Sequence, residues 1–166
     1  MDIPQEVLDL YYQTVDDFND KNFGVNCKLF YPEKRVDCPN CIFDVFQKKS
    51  SGKYQSGGPE PFDTGVCPYC NDIGYQAVED TDTIKMRVYF DKKAFLKVGV
   101  PLNVQDGSVM TIGKIVDLPK IIRCTGAILN TDVAGYKTYK YELKGEPILH
   151  GIKKDHYFIA IWQRTL

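Results

Sequence analysis

Four of the six cysteines stand in two Cys-x-x-Cys pairs, Cys38-Pro39-Asn40-Cys41 and Cys67-Pro68-Tyr69-Cys70, with 25 residues between the pairs. Each pair places two thiolates on one turn, where backbone N–H groups can point at the sulfurs, and two such knuckles complete a tetrahedron around a cation. The spacing is close to that of four-cysteine zinc sites, so Cys38, Cys41, Cys67 and Cys70 are expected to bind Zn2+. A shell filled by four protein ligands leaves no open position, which makes such a site structural and not catalytic. Cys27 and Cys124 stand apart from the knuckles and are expected to be small buried residues outside the site.

Rival chemistries fit less well. Cys67-Pro68-Tyr69-Cys70 looks like the active-site tetrapeptide of glutaredoxins, whose first thiolate attacks from a helix N-terminus. Here Asn71-Asp72-Ile73-Gly74 opens no amphipathic helix and no βαβ pattern surrounds it, and redox chemistry would leave the other pair unexplained. A zinc deaminase needs an H-x-E element, which neither His150-Gly151-Ile152 nor His156-Tyr157-Phe158 supplies. Neither histidine belongs to a nucleophile motif, and Walker and Rossmann glycine patterns are absent from the sequence. The chain is therefore expected not to be an enzyme.

The knuckles sit in a segment, residues 32–77, that is rich in Gly, Pro, Ser and Cys and poor in Leu and Val. Such a composition cannot build an apolar core, and a bound zinc contributing on the order of 10 kcal/mol could order it instead. Around it the pattern is different. Ile3, Val7, Leu10, Tyr11, Val15 and Phe18 recur at helical steps, predicting a helix from about Pro4 to Lys21 with Gly24 as its stop. Alternating runs then predict strands at Val25–Tyr31, Ile84–Phe90, Val109–Val116, Lys120–Cys124, Ala127–Leu129, Tyr136–Leu143 and His156–Arg164. Short strands separated by turns, without helical stretches between them, favour an antiparallel barrel or sandwich. The expected organisation is a helix and first strand over 1–31, an inserted zinc-binding module over 32–77, and the remaining strands over 78–166.

The 166 residues suffice for one main core. The longest apolar run, Tyr157 to Trp162, is far too short to cross a bilayer, and the first residues do not read as a signal peptide. A reducing cytoplasm is the expected site of synthesis, with no membrane partner. The formal net charge of −1 gives no global field to hold nucleic acid, although Lys85, Arg87, Lys92, Lys93 and Lys97, and separately Lys137, Lys140, Lys144, Lys153 and Lys154, could form local patches. Charge is nevertheless segregated: residues 1–20 carry −6 with no Lys or Arg, leaving +5 for the rest. Asp16, Asp17 and Asp20 lie near the end of the predicted helix, where the macrodipole disfavours them. They are candidates for a subunit interface with a basic surface, against the simpler reading of a solvated acidic face.

In order along the chain, Leu29-Phe30-Tyr31-Pro32, Cys38-Pro39-Asn40-Cys41, Ser56-Gly57-Gly58-Pro59, Cys67-Pro68-Tyr69-Cys70, Ile84-Lys85-Met86-Arg87-Val88-Tyr89, Thr111-Ile112-Gly113 and Asp117-Leu118-Pro119-Lys120 resemble the head-closure (neck) proteins of tailed bacteriophages. The resemblance extends over most of the chain after the first helix. It implies a small antiparallel β-barrel with an N-terminal helix, here carrying a zinc-knuckle insertion. It also implies a homo-oligomeric ring between the portal or its adaptor and the tail protein, made in the host cytoplasm and resident in the virion neck. Such a ring closes the head after packaging, and DNA is only passing cargo in its channel. The second knuckle with Gly74 also resembles half a repeat of the DnaJ-type zinc domain, but two knuckles in place of four do not carry chaperone activity over. A zinc-dependent nucleic-acid-binding protein is the alternative from another class.

Overall fold

A computed structural model describes residues 3–97, 106–129 and 138–165. The chain divides into two compact units, one formed by Met1–Tyr31 with Thr81–Leu166 and the other by Pro32–Asp80. In chain order the elements are α1 (Gln5–Phe18), a π-helical turn (Asn19–Phe23), β1 (Gly24–Phe30), β2 (Lys34–Asp37), β3 (Cys41–Asp44), β4 (Lys49–Tyr54), β5 (Tyr75–Val78) and β6 (Thr81–Tyr89). There follow α2 (Lys92–Lys97), β7 (Ser108–Lys114), a 3-10 turn (Ile115–Asp117), α3 (Leu118–Arg123), β8 (Gly126–Ile128), β9 (Lys140–Leu143), β10 (Ile148–His150) and β11 (Tyr157–Arg164).

The larger unit is a closed antiparallel β-barrel of six strands, β11-β7-β6-β1-β8-β9, with β9 returning to pair with β11. Closure removes the open edges that an ordinary sheet must protect. The second edge of β11 is shared, its first half pairing with β10 and its last residues with β9. Inside the barrel, Leu29, Met86, Val109, Phe158 and Trp162 pack with Cys27 and Ala160, and the Trp162 indole donates to the Thr111 hydroxyl at 2.8 Å. The run Tyr157–Trp162 does not alternate in burial because both of its faces are covered. Phe158, Ala160 and Trp162 face the interior, whereas Ile159 packs with Met110 against Phe95 of α2, and Tyr157 packs with Leu8 and Tyr12 of α1.

Two expectations change here. Lys120–Cys124 is not a strand: it lies mostly in α3, where Pro119 fits the first turn, Ile121 is buried, and Lys120 and Arg123 sit in the last turn. Its adjacent isoleucines suit either period over so short a run, and the proline near the helix start decides. Lys120 also reaches Asp82 at 3.1 Å and Asp117 at 3.3 Å, which holds the Asp82 carboxyl below its usual range. In the expected strand Tyr136–Leu143, only Lys140–Leu143 is β9, and Tyr136 and Lys137 lie outside the described residues.

The smaller unit contains two antiparallel ribbons, β2 with β5 and β3 with β4. It extends three residues beyond position 77, because β5 runs to Val78 opposite Lys34 and Lys34 pairs with Asp80 at 2.7 Å. Its buried apolar cluster is the four knuckle cysteines with Phe62 against them.

Candidate metal centre

Cys38 follows β2, Cys41 opens β3, and Cys67 and Cys70 occupy the turn that leads into β5. All four are buried, and their sulfur atoms lie within 4.8 Å of one another. Cys38 Sγ is 3.9 Å from Cys67 Sγ, and Cys41 Sγ is 3.6 Å from Cys70 Sγ. These separations are far above a disulfide bond of about 2.05 Å. They match the edge of a tetrahedron with metal–sulfur bonds of about 2.3 Å, which is about 3.8 Å. The structure thus brings together the four residues expected from their spacing, in an arrangement that could hold a metal ion.

Hydrogen-bond donors are already aimed at the sulfurs. The Asn40 backbone N–H donates to Cys38 Sγ at 3.4 Å, the Asn40 side-chain amide to Cys67 Sγ at 3.6 Å, and the Gly74 N–H to Cys70 Sγ at 3.3 Å. As bare thiols, Cys41, Cys67 and Cys70 differ from one another. Burial pushes Cys41 up to about 12 and also raises Cys70. Burial acts the same way on Cys67, but hydrogen bonds from the Cys70 backbone, the Asn40 side chain and the Tyr69 backbone outweigh it and lower Cys67 to about 7. A nearby cation would favour the thiolate at every position.

Asn40 is the residue that reasoning from cysteine spacing missed. It is fully buried, its side-chain NH2 also donates to the Glu60 carbonyl at 2.7 Å, and its Oδ1 accepts from the Glu60 N–H at 2.7 Å. One side chain therefore ties the first knuckle to the second and to the intervening loop. Two glycines permit the close approach: a Cβ on Gly58 would lie 2.7 Å from Asn40 Oδ1 and 2.9 Å from the Pro39 carbonyl oxygen. One on Gly74, where φ is +82°, would lie 2.6 Å from the Ser50 nitrogen. The Ser56-Gly57-Gly58-Pro59 motif was the available signal for this contact.

Of the acidic residues proposed for an interface, Asp16 is turned into its own barrel. Its carboxylate accepts from the Tyr157 hydroxyl at 2.9 Å and lies 3.3 Å from His156 Nε2 and 3.8 Å from Lys114 Nζ. This corrects the expectation of an exposed carboxylate at that position, because helical spacing puts Asp16 one turn beyond Tyr12 on the packed face. Tyr12 stacks on His156 with ring centres 4.0 Å apart, and its hydroxyl accepts from the Ile152 N–H at 2.7 Å. Asp17 is exposed and pairs with Lys21 at 3.2 Å, and the Asp20 side chain lies outside the described residues.

Cys27 is buried in the barrel interior and Cys124 is half-buried beside α3, where its thiol donates to the Ile121 carbonyl at 3.0 Å. Neither is a member of the four-cysteine cluster. Arg87, a member of one suggested basic patch, instead lies against the rings of Phe18, Phe23 and Tyr89 and donates to the Tyr89 hydroxyl at 2.8 Å. The side chains of Lys92 and Lys97 lie outside the described residues. Among the described residues no helix is long and apolar enough to cross a membrane. The chain matches no family model, no curated protein and no solved structure.

Proposed function

We propose that this protein is a structural, non-enzymatic component of the neck of a tailed bacteriophage. Copies form a ring between the portal or adaptor and the tail, close the head after DNA packaging and dock the tail. The carrying observation is the combination of a closed six-stranded barrel with a separate four-cysteine unit inserted between β1 and β6. That combination supports the resemblance in motif order, which runs from Leu29-Phe30-Tyr31-Pro32 across both knuckles to Ile84–Tyr89. The ion is Zn2+ in a structural role, because four soft sulfur donors in a tetrahedral setting suit zinc and not the hard, oxygen-bound cations.

In a phage that encodes the chain, blocking its synthesis should yield DNA-filled heads that leak or lack tails, beside complete free tails. Antibody against the protein should label the head–tail junction of wild-type particles. Particles that retain tails and DNA without the protein would overturn the proposal. Strongly salt-dependent binding of duplex DNA by the isolated protein would favour the nucleic-acid-binding alternative.

A further inference from the structure

We infer that the β3–β4 hairpin and the cavity on its flank form a binding site for single-stranded nucleic acid. The site lies wholly within the four-cysteine unit, goes beyond the neck proposal and does not depend on it.

The tip of the hairpin presents an aromatic ring to water. Phe46 is 98% exposed and Val45 beside it 74%. The turn that carries the ring is held by its own hydrogen bonds: the Asp44 carboxylate accepts from the Phe46 N–H at 2.8 Å and from the Gln47 N–H at 3.0 Å. Its shape is thus fixed before any partner arrives, which lowers the ordering cost of binding. An exposed ring held in this way is a platform on which a base of any identity can stack.

Charge around the ring has one sign. Residues 45–59 hold three lysines and no Asp or Glu. Lys48, Lys49 and Lys53 are exposed, and their side chains form no ion pair among the described residues. Lys49, Ser51 and Lys53 alternate along β4 and so share one face. They line a cavity of about 390 Å3, which also takes in Gln47 from the tip and Asp72 from the turn after the second knuckle. Ser51 Oγ and Asp72 Oδ1 are buried there without a hydrogen-bond partner, a costly state for either atom.

The occupant must bring anions to the lysines, a flat apolar face to the ring, and an N–H or O–H donor to the Asp72 carboxylate. A single strand brings all three, since its phosphates alternate with bases whose Watson–Crick edges offer N–H groups that a duplex keeps engaged. An acidic peptide would answer only the lysines.

The test is fluorescence anisotropy of a labelled strand of about 16 nucleotides, as DNA and as RNA, with the full chain as purified and with the matching duplex as competitor. Either single strand should bind about tenfold tighter than the duplex. Log affinity should fall with log salt at a slope of about −2, as three phosphate contacts require, and joint Lys49→Gln and Lys53→Gln substitution should bring the slope to about −0.7. Phe46→Ala should weaken binding about tenfold with melting unchanged, because the ring packs on nothing in its own chain. Asp72→Gly, which a φ of +69° tolerates, should weaken it as well. Absence of single-strand binding at low salt, a duplex bound as tightly as the strand, or unchanged binding by Phe46→Ala would each overturn the site. A photo-cross-linking amino acid at position 46 that captures protein and no nucleic acid in cells making the chain would also overturn it. None of these results touches the neck proposal, which falls only if the protein is missing from the head–tail junction.

Discussion

Asn40 braces the four-cysteine cluster beyond what the sulfurs alone could do, since its amide spans from Glu60 to the Cys67 sulfur while its backbone N–H serves Cys38. Partners that orient metal ligands in this way commonly set affinity by one to two orders of magnitude. Asn40→Ala should therefore keep a full complement of zinc but lose it to a chelator at roughly 10- to 100-fold lower concentration. Cys41→Ser or Cys70→Ser should abolish stoichiometric zinc in elemental analysis, whereas Cys27→Ser and Cys124→Ser should leave it unchanged. Zinc-bound wild-type protein should also fail to reduce a glutathione mixed disulfide, because thiolates in a closed shell are poor nucleophiles. The clustering of the four cysteines was legible because each Cys-x-x-Cys pair is local in sequence. The role of Asn40 was not, because its partners Glu60 and Gly58 are some 20 residues away and only the fold brings them close.

Helix α1 is held by polar contacts as well as apolar ones, and these give it a pH signature. Burial, reinforced by the Asp16 carboxylate that accepts its hydrogen bond, holds the Tyr157 hydroxyl protonated above the ordinary tyrosine range. A group whose folded pKa is raised contributes stability that is present below the unfolded value, about 10, and lost as pH rises beyond it. Unfolding midpoints should thus fall above about pH 10, and Tyr157→Phe should flatten that slope. Asp16→Ala leaves a buried hydroxyl without its acceptor and should cost about 1.5 to 3 kcal/mol, read as faster amide exchange along α1. The apolar period foretold this helix well. It also foretold β1, β6, β7 and β11, but α3 resembled a strand because Ile121 and Ile122 fit either period, and α2 was hidden among lysines. The short ribbons of the cysteine-rich segment left no apolar alternation to read, since their core is sulfur and not hydrocarbon.

At the scale of the molecule, the division at Pro32 and Asp80 separates two kinds of core, an apolar one in one unit and a four-cysteine cluster that could hold a metal ion in the other. Chelation should accordingly raise amide exchange across Pro32–Asp80 while the barrel strands stay protected, and simultaneous unfolding of both would show that they are one cooperative unit. The composition shift marked where the insertion begins; its end was harder to place, because Val78 and Asp80 continue a ribbon whose partner, Lys34, lies at the other end of the insertion. The register of β1 and β6 has a kinetic side. Phe30 stands directly opposite Thr81, so two neighbouring barrel strands must find each other across the whole of Pro32–Asp80, about 50 residues of chain. Were the ribbon of β2 and β5 already zipped by an ion bound at the four cysteines, Lys34 and Val78 would be side by side and only a few free residues would remain to be closed. Shortening a loop about eightfold removes about 2 kcal/mol of closure entropy, so refolding of the barrel should slow by up to roughly thirtyfold when zinc is withheld. A bound ion would then act as a splint for a hairpin that supplies it no ligand, and its absence would be felt as delay before it is felt as instability.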